Sequence, residues 1–151
     1  MKTWERWTFG LLAVVVTASG FVYLWMRYVL VADDPFAVVN HPWQGAMLAA
    51  HVLASPPLIL MFGIVLHSHV LKKLGARKSP NRASGLISFA TFFTMIATGY
   101  LLQIVTGEGL LLLMVVAHVA SGVLFAAAYA AHLLISMRLA RAIPGGRSEA
   151  A

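Results

Sequence analysis

The chain has 151 residues, 60% hydrophobic and 11% charged, with a mean hydropathy of +0.84. A soluble domain is about a quarter charged, so one small core cannot hide this apolar surface and lipid must be its solvent. The absence of cysteine excludes disulfides, zinc thiolate sites, iron–sulfur clusters and covalent c-type haem within the chain. The net charge of +6 clusters at the ends of apolar runs, a pattern of membrane topology and not of nucleic-acid binding.

Hydropathy predicts four spans, at about 7–31, 44–71, 83–106 and 110–138. Each is long enough to cross about 30 Å of hydrocarbon as a helix. The first is too long for a signal peptide and runs into Tyr28–Val31 with no small-residue cleavage site, so a mature helix is expected. The connection to the second span holds Asp33, Asp34 and Pro35, with Pro42 and Gly45 just beyond. The connection between spans two and three carries Lys72, Lys73, Arg77, Lys78 and Arg82. That between spans three and four, Thr106-Gly107-Glu108-Gly109, is acidic or neutral. Arg138, Arg141 and Arg147 follow the last span, Lys2 and Arg6 precede the first, and Pro144-Gly145-Gly146 ends the last helix before a frayed tail. The positive-inside rule then places both termini and the basic loop in the cytoplasm. Trp4 and Trp7 fit one interfacial belt; Trp25, Tyr28 and Trp43 fit the other. The expected fold is all-α: a single four-helix transmembrane bundle over residues 1–151, both termini cytoplasmic, with no room for a soluble domain.

Four of the six histidines fall inside spans: His51 and His69 in the second, His118 and His132 in the fourth. An ionisable side chain in hydrocarbon is costly and marks function by default. Spans two and four run in the same direction. His51 and His118 each lie about eight residues in, near the outer face, and His69 and His132 lie near the inner ends. From 118 to 132 is 14 residues, about 21 Å and nearly a whole number of turns, so both rings share one face. From 51 to 69 is 18 residues, five whole turns and about 27 Å. Two level pairs of imidazoles on two helices are what two bis-histidine haems require. Bis-histidine ligation leaves no site for oxygen and suits electron transfer.

Gly122, Phe125 and Tyr129 share the histidine face of span four, and Ser55, Leu58 and Phe62 that of span two. A small residue one turn from a histidine leaves room for a flat macrocycle. Residues 50–55 (AHVLAS) faintly echo 117–122 (AHVASG). His67 rivals His69 as inner ligand: its depth suits His132, but in a regular helix it points about 160° from His51. A bulge after Pro56-Pro57 would rotate the remainder of the span. The spacing favours His69; whichever ring is not a ligand snorkels to the inner interface or meets a haem propionate. His41 reads as an interfacial residue. Gly99-Tyr100 and Gln103 border either the outer haem or a quinone, or serve helix packing. Arg27 pairs with a propionate or anchors at the interface.

A lone buried histidine is more often structural than a ligand, and the stripe Phe125–Tyr129 alone is packing. A proton relay or metal transporter usually has intramembrane carboxylates. Here Glu5, Asp33, Asp34, Glu108 and Glu149 lie at span ends, in loops or in the tail.

The segment His51-Val-Leu-Ala-Ser-Pro56, His69, Ser84-Gly85, Gly99-Tyr100-Leu-Leu-Gln103, His118 and His132 resembles the bacterial dihaem b-type membrane cytochromes, in the broad cytochrome b561-like sense. The likeness covers nearly the whole chain in short motifs. It departs from the subgroup that draws a ligand from span one, since residues 1–31 hold no histidine. It is closer to the core of cytochrome b of the bc complexes, where two helices supply both pairs. The resemblance implies two non-covalent haem b groups, bound by His51 and His118 and by His69 and His132. It also implies a place in the bacterial inner (cytoplasmic) membrane and exchange of electrons with the quinone pool and with periplasmic or cytoplasmic redox subunits of a respiratory complex. The alternatives are a membrane anchor docking a catalytic partner, or a small transporter or proton channel.

Overall fold

Long apolar runs turn most of their backbone N–H and C=O groups onto their own helix, the form lipid demands. The computed structural model describes residues 2–71 and 82–141. Its helices are α1 (Thr3–Tyr28), α2 (Gln44–Val65) followed by a π-helical turn (Leu66–Val70), α3 (Arg82–Leu101) and α4 (Glu108–Arg141). These four α-helices are long and apolar enough to cross a membrane, with side chains such as Leu53 and Leu60 exposed along them. Among the described residues no buried side-chain nitrogen or oxygen lacks a hydrogen-bond partner. Several helix hydroxyls donate to the carbonyl one turn back: Ser55 to His51, Ser88 to Ser84, Thr91 to Ile87 and Thr94 to Ala90.

The chain divides into two units, Met1–Lys72 and Lys73–Ala151. In the first, α1 packs on α2, and Phe9 meets Phe62 with ring centroids 6.5 Å apart. α1 starts at Thr3, earlier than hydropathy suggests, because Glu5 is part of its first turn. The Lys2 N–H donates to the Glu5 carboxylate at 2.8 Å, and Glu5 is buried. An acidic group there meets the positive end of the helix dipole. The helix ends at Tyr28, short of Val31, where the Val29 and Leu30 N–H groups both donate to the Trp25 carbonyl. In the connection, the Phe36 N–H donates to Asp34 Oδ1 and the Asn40 side chain donates to the Arg27 carbonyl at 2.9 Å.

α2 runs without interruption through Pro56 and Pro57. The irregularity falls instead at Leu66–Val70, where one π turn holds both His67 and His69. In the second unit α3 packs on α4. α3 stops at Leu101, five residues before the expected Thr106, in a tight turn where the Gln103 N–H donates to the Tyr100 carbonyl. The basic residues Lys72, Lys73, Arg77 and Lys78, and the tail with Pro144-Gly145-Gly146 and Arg147, lie outside the described residues.

Candidate functional site

His118 leaves α4 toward α3. Its Nδ1 lies 3.0 Å from Thr98 Oγ1. The Thr98 hydroxyl has one proton, and that proton goes to the Thr94 carbonyl at 2.7 Å. Nδ1 must therefore carry the hydrogen and donate it to Thr98 Oγ1. In the neutral ring Nε2 then holds the lone pair. Next to Thr98, Gly99 lets the ring lie on the helix backbone: a Cβ there would stand 3.3 Å from His118 Cε1.

The same device recurs at the other end of the hairpin. His132 Nδ1 and Ser84 Oγ hydrogen-bond at 3.2 Å, and a Cβ on Gly85 would stand 3.5 Å from His132 Cε1. Ser84 and Thr98 are 14 positions apart on α3, as are His118 and His132 on α4. The two helices are antiparallel, so equal spacings bring each histidine onto its own hydroxyl–glycine pair.

The first unit repeats the theme with a backbone acceptor. His51 Nδ1 donates to the Val16 carbonyl at 2.8 Å; a carbonyl has no proton to give, so the tautomer is again Nδ1–H. Ser19, buried, donates its hydroxyl to the Val15 carbonyl at 2.7 Å, with Val16 at 3.2 Å. Gly20 is the next residue, and a Cβ on it would come within 2.9 Å of both Cε1 and Nδ1 of His51. His51 and His118 thus each donate from Nδ1 to the neighbouring helix, and Nε2 is the ring nitrogen through which such a histidine would bind a metal ion.

The π turn changes the choice between His67 and His69. Such a turn winds more slowly than α-helix, so His69 falls short of the five whole turns from His51, and His67 swings toward that bearing. Burial separates them: His67 is exposed and His69 is partly buried.

Gly122 does not open beside a histidine. A Cβ on it would meet Met95 Sδ at 3.6 Å, so its missing side chain is filled by the thioether of α3. Phe125 is buried, 5.4 Å from Phe92 and stacked at 5.6 Å on Tyr129, which makes this stripe hairpin packing. Ser55 is partly buried, and its hydroxyl serves the His51 carbonyl. Arg27, Tyr100 and Gln103 are exposed. His41 accepts the Trp43 N–H on Nδ1 and the Gln44 N–H on its carbonyl, which ties it to the start of α2.

Sequence reasoning overlooked Gly20, Thr98 and the Val16 carbonyl. The available signal was the dipeptide of a hydroxyl residue and glycine, three times on the odd helices: Ser19-Gly20, Ser84-Gly85 and Thr98-Gly99. Among the described residues no three His, Asp or Glu side chains gather into a metal-binding group. No family model matches the chain, and no curated protein or solved structure matches it either.

Proposed function

We propose that the chain is a dihaem b-type membrane cytochrome, passing electrons across the membrane between the quinone pool and a redox partner. The observation that supports this best is the Nδ1–H tautomer of His51 and His118, each ring set against a glycine of the neighbouring helix. An axial ligand needs such a bond, because its second nitrogen orients the ring and tunes the bond to iron.

In this reading His51 and His118 would hold the outer haem, and His69 and His132 the inner. Bound haem supplies an iron that takes up and releases one electron. The protein's own part would be to hold each haem through two imidazoles, keep the rings in place and exclude water with apolar side chains. Stacked haems let an electron cross a layer that a bare charge crosses only at great cost. The positive-inside rule would set both termini in the cytoplasm, and the resemblance implies the bacterial inner membrane and a respiratory complex. Tyr100 and Gln103, exposed two and five residues after Thr98, suit a quinone near the outer haem.

The test is the visible spectrum of the purified chain, with haem counted as pyridine haemochrome. Two haem b per chain with low-spin reducible α-bands supports the reading. A chain without a Soret band after haem-replete expression overturns it and leaves an anchor or transporter.

A further inference from the structure

We infer that Thr98 is a positioning residue that sets the electronic character of His118 and through it the reduction potential of one haem; this rests on the function proposed above. The geometry is a two-step relay. Nδ1–H of His118 donates to Thr98 Oγ1 at 3.0 Å, and the Thr98 hydroxyl donates to the Thr94 carbonyl at 2.7 Å. Hydrogen bonds in series polarise one another. The hydroxyl that gives its proton to a carbonyl becomes a better acceptor, so it draws more strongly on the imidazole N–H. That pushes electron density toward Nε2. A more basic Nε2 favours ferric over ferrous iron and lowers the potential.

Thr98 is buried, in a setting where water cannot take over its role as acceptor. A second contact of its hydroxyl, 3.3 Å to the Met95 carbonyl, keeps the side chain in the rotamer that presents Oγ1 to the ring. The contact of Ser84 with His132 is longer, at 3.2 Å. The hydroxyl contact to His118 is therefore the shorter of the two on α4.

Replacement by valine keeps the shape of Thr98 and removes the acceptor. In the purified full chain, Thr98→Val should move the midpoint of one haem to more positive potential, leave the other where it is, and shift one α-band in the low-temperature spectrum. Thr98→Ser, which keeps the hydroxyl, should restore both. If Thr98→Val loses that haem outright, Thr98→Ser must regain the haem with its wild-type midpoint. A serine variant that behaves like valine, or a valine variant with both midpoints unchanged, overturns the inference. Nitrogen-15 spectra of the full chain prepared without haem give an independent reading. His118 should be in the Nδ1–H form in the wild type and a mixture of tautomers in Thr98→Val; a mixture in both, or the Nδ1–H form in both, overturns the inference. Absence of haem from the wild type defeats the proposed function, while the nitrogen spectra still judge the role of Thr98.

Discussion

Gly20 on α1 lies directly beneath the imidazole of His51: a Cβ at position 20 would be 2.9 Å from both Cε1 and Nδ1. That ring cannot retreat without giving up its 2.8 Å hydrogen bond to the Val16 carbonyl. Gly20→Ala must therefore break that bond or push α1 and α2 apart, and overpacking of this kind costs about 1–3 kcal/mol. The equivalent Cβ at Gly99 stands 3.3 Å from His118, and at Gly85 it stands 3.5 Å from His132. Because Ala is favoured over Gly inside a helix by about 1 kcal/mol, the sign should reverse along the series. Gly20→Ala should lower the melting temperature and the haem content, Gly99→Ala should be mildly adverse, and Gly85→Ala should be neutral or slightly stabilising. Thermal unfolding in detergent and the Soret-to-protein ratio check the order; equal effects at all three positions would refute the close-packing account.

The π turn at Leu66–Val70 concentrates the inner-site question on two residues one position either side of Ser68. The partly buried His69 is the ligand in the proposed arrangement, and the exposed His67 is not. His69→Ala should remove one haem and spare the other, as should His132→Ala, whereas His67→Ala should retain both. His51→Ala and His118→Ala should each remove the second haem. Haemochrome counts on the five variants decide this, and loss of a haem in His67→Ala with none in His69→Ala would reverse the assignment.

The helices were legible because each apolar run is long and each interruption is polar or contains Gly or Pro. Their ends were less so. Glu5 reads as a flanking charge until its link to the Lys2 N–H shows it to be the first turn of α1. The prolines at 56 and 57 looked like the place for a bulge. The helical conformation continues there although neither proline has an N–H to donate, and the π turn forms ten residues later, where no Gly or Pro signals it. The histidine face of α4 was readable from spacing alone. What each ring rests against was not, because that contact lies on another helix. A glycine in a membrane helix is so often a packing residue that Gly20 and Gly99, each preceded by a hydroxyl residue, did not stand out as facing imidazoles. Gly122, which spacing alone sets beside His118, faces Met95.

The absence of cysteine makes the proposed orientation straightforward to test. Single cysteines introduced at Val38, in the α1–α2 connection, and at Gly107, between α3 and α4, should react in intact cells with a thiol reagent that does not cross membranes. A cysteine at Lys2 should react only after the cells are opened. Val38, Gly107 and Lys2 are all exposed, so differences in labelling report sidedness and not burial. Labelling of position 2 from outside, with positions 38 and 107 protected, would invert the topology.

Phe125 should be the least replaceable apolar residue of the second hairpin. It is buried, lies against Phe92 of α3 and stacks on Tyr129 one turn along α4 with ring planes 4° apart. In a soluble core, Phe→Ala costs about 3–5 kcal/mol. In lipid the transfer of apolar surface from water contributes little, and what remains is lost packing. Phe125→Ala should therefore cost roughly half as much, about 2 kcal/mol. The cavity would lie midway between His118 and His132, seven residues from each, so slackening should reach both ends of α4. Loss of stability with both haem spectra broadened is the expected result of melting and absorption measurements. Phe125→Leu, which refills most of the space, should recover the larger part. A variant of Phe125 that melts like the wild type would mean that α3 and α4 are held together by their ends alone, through the hydrogen bonds at Thr98 and Ser84.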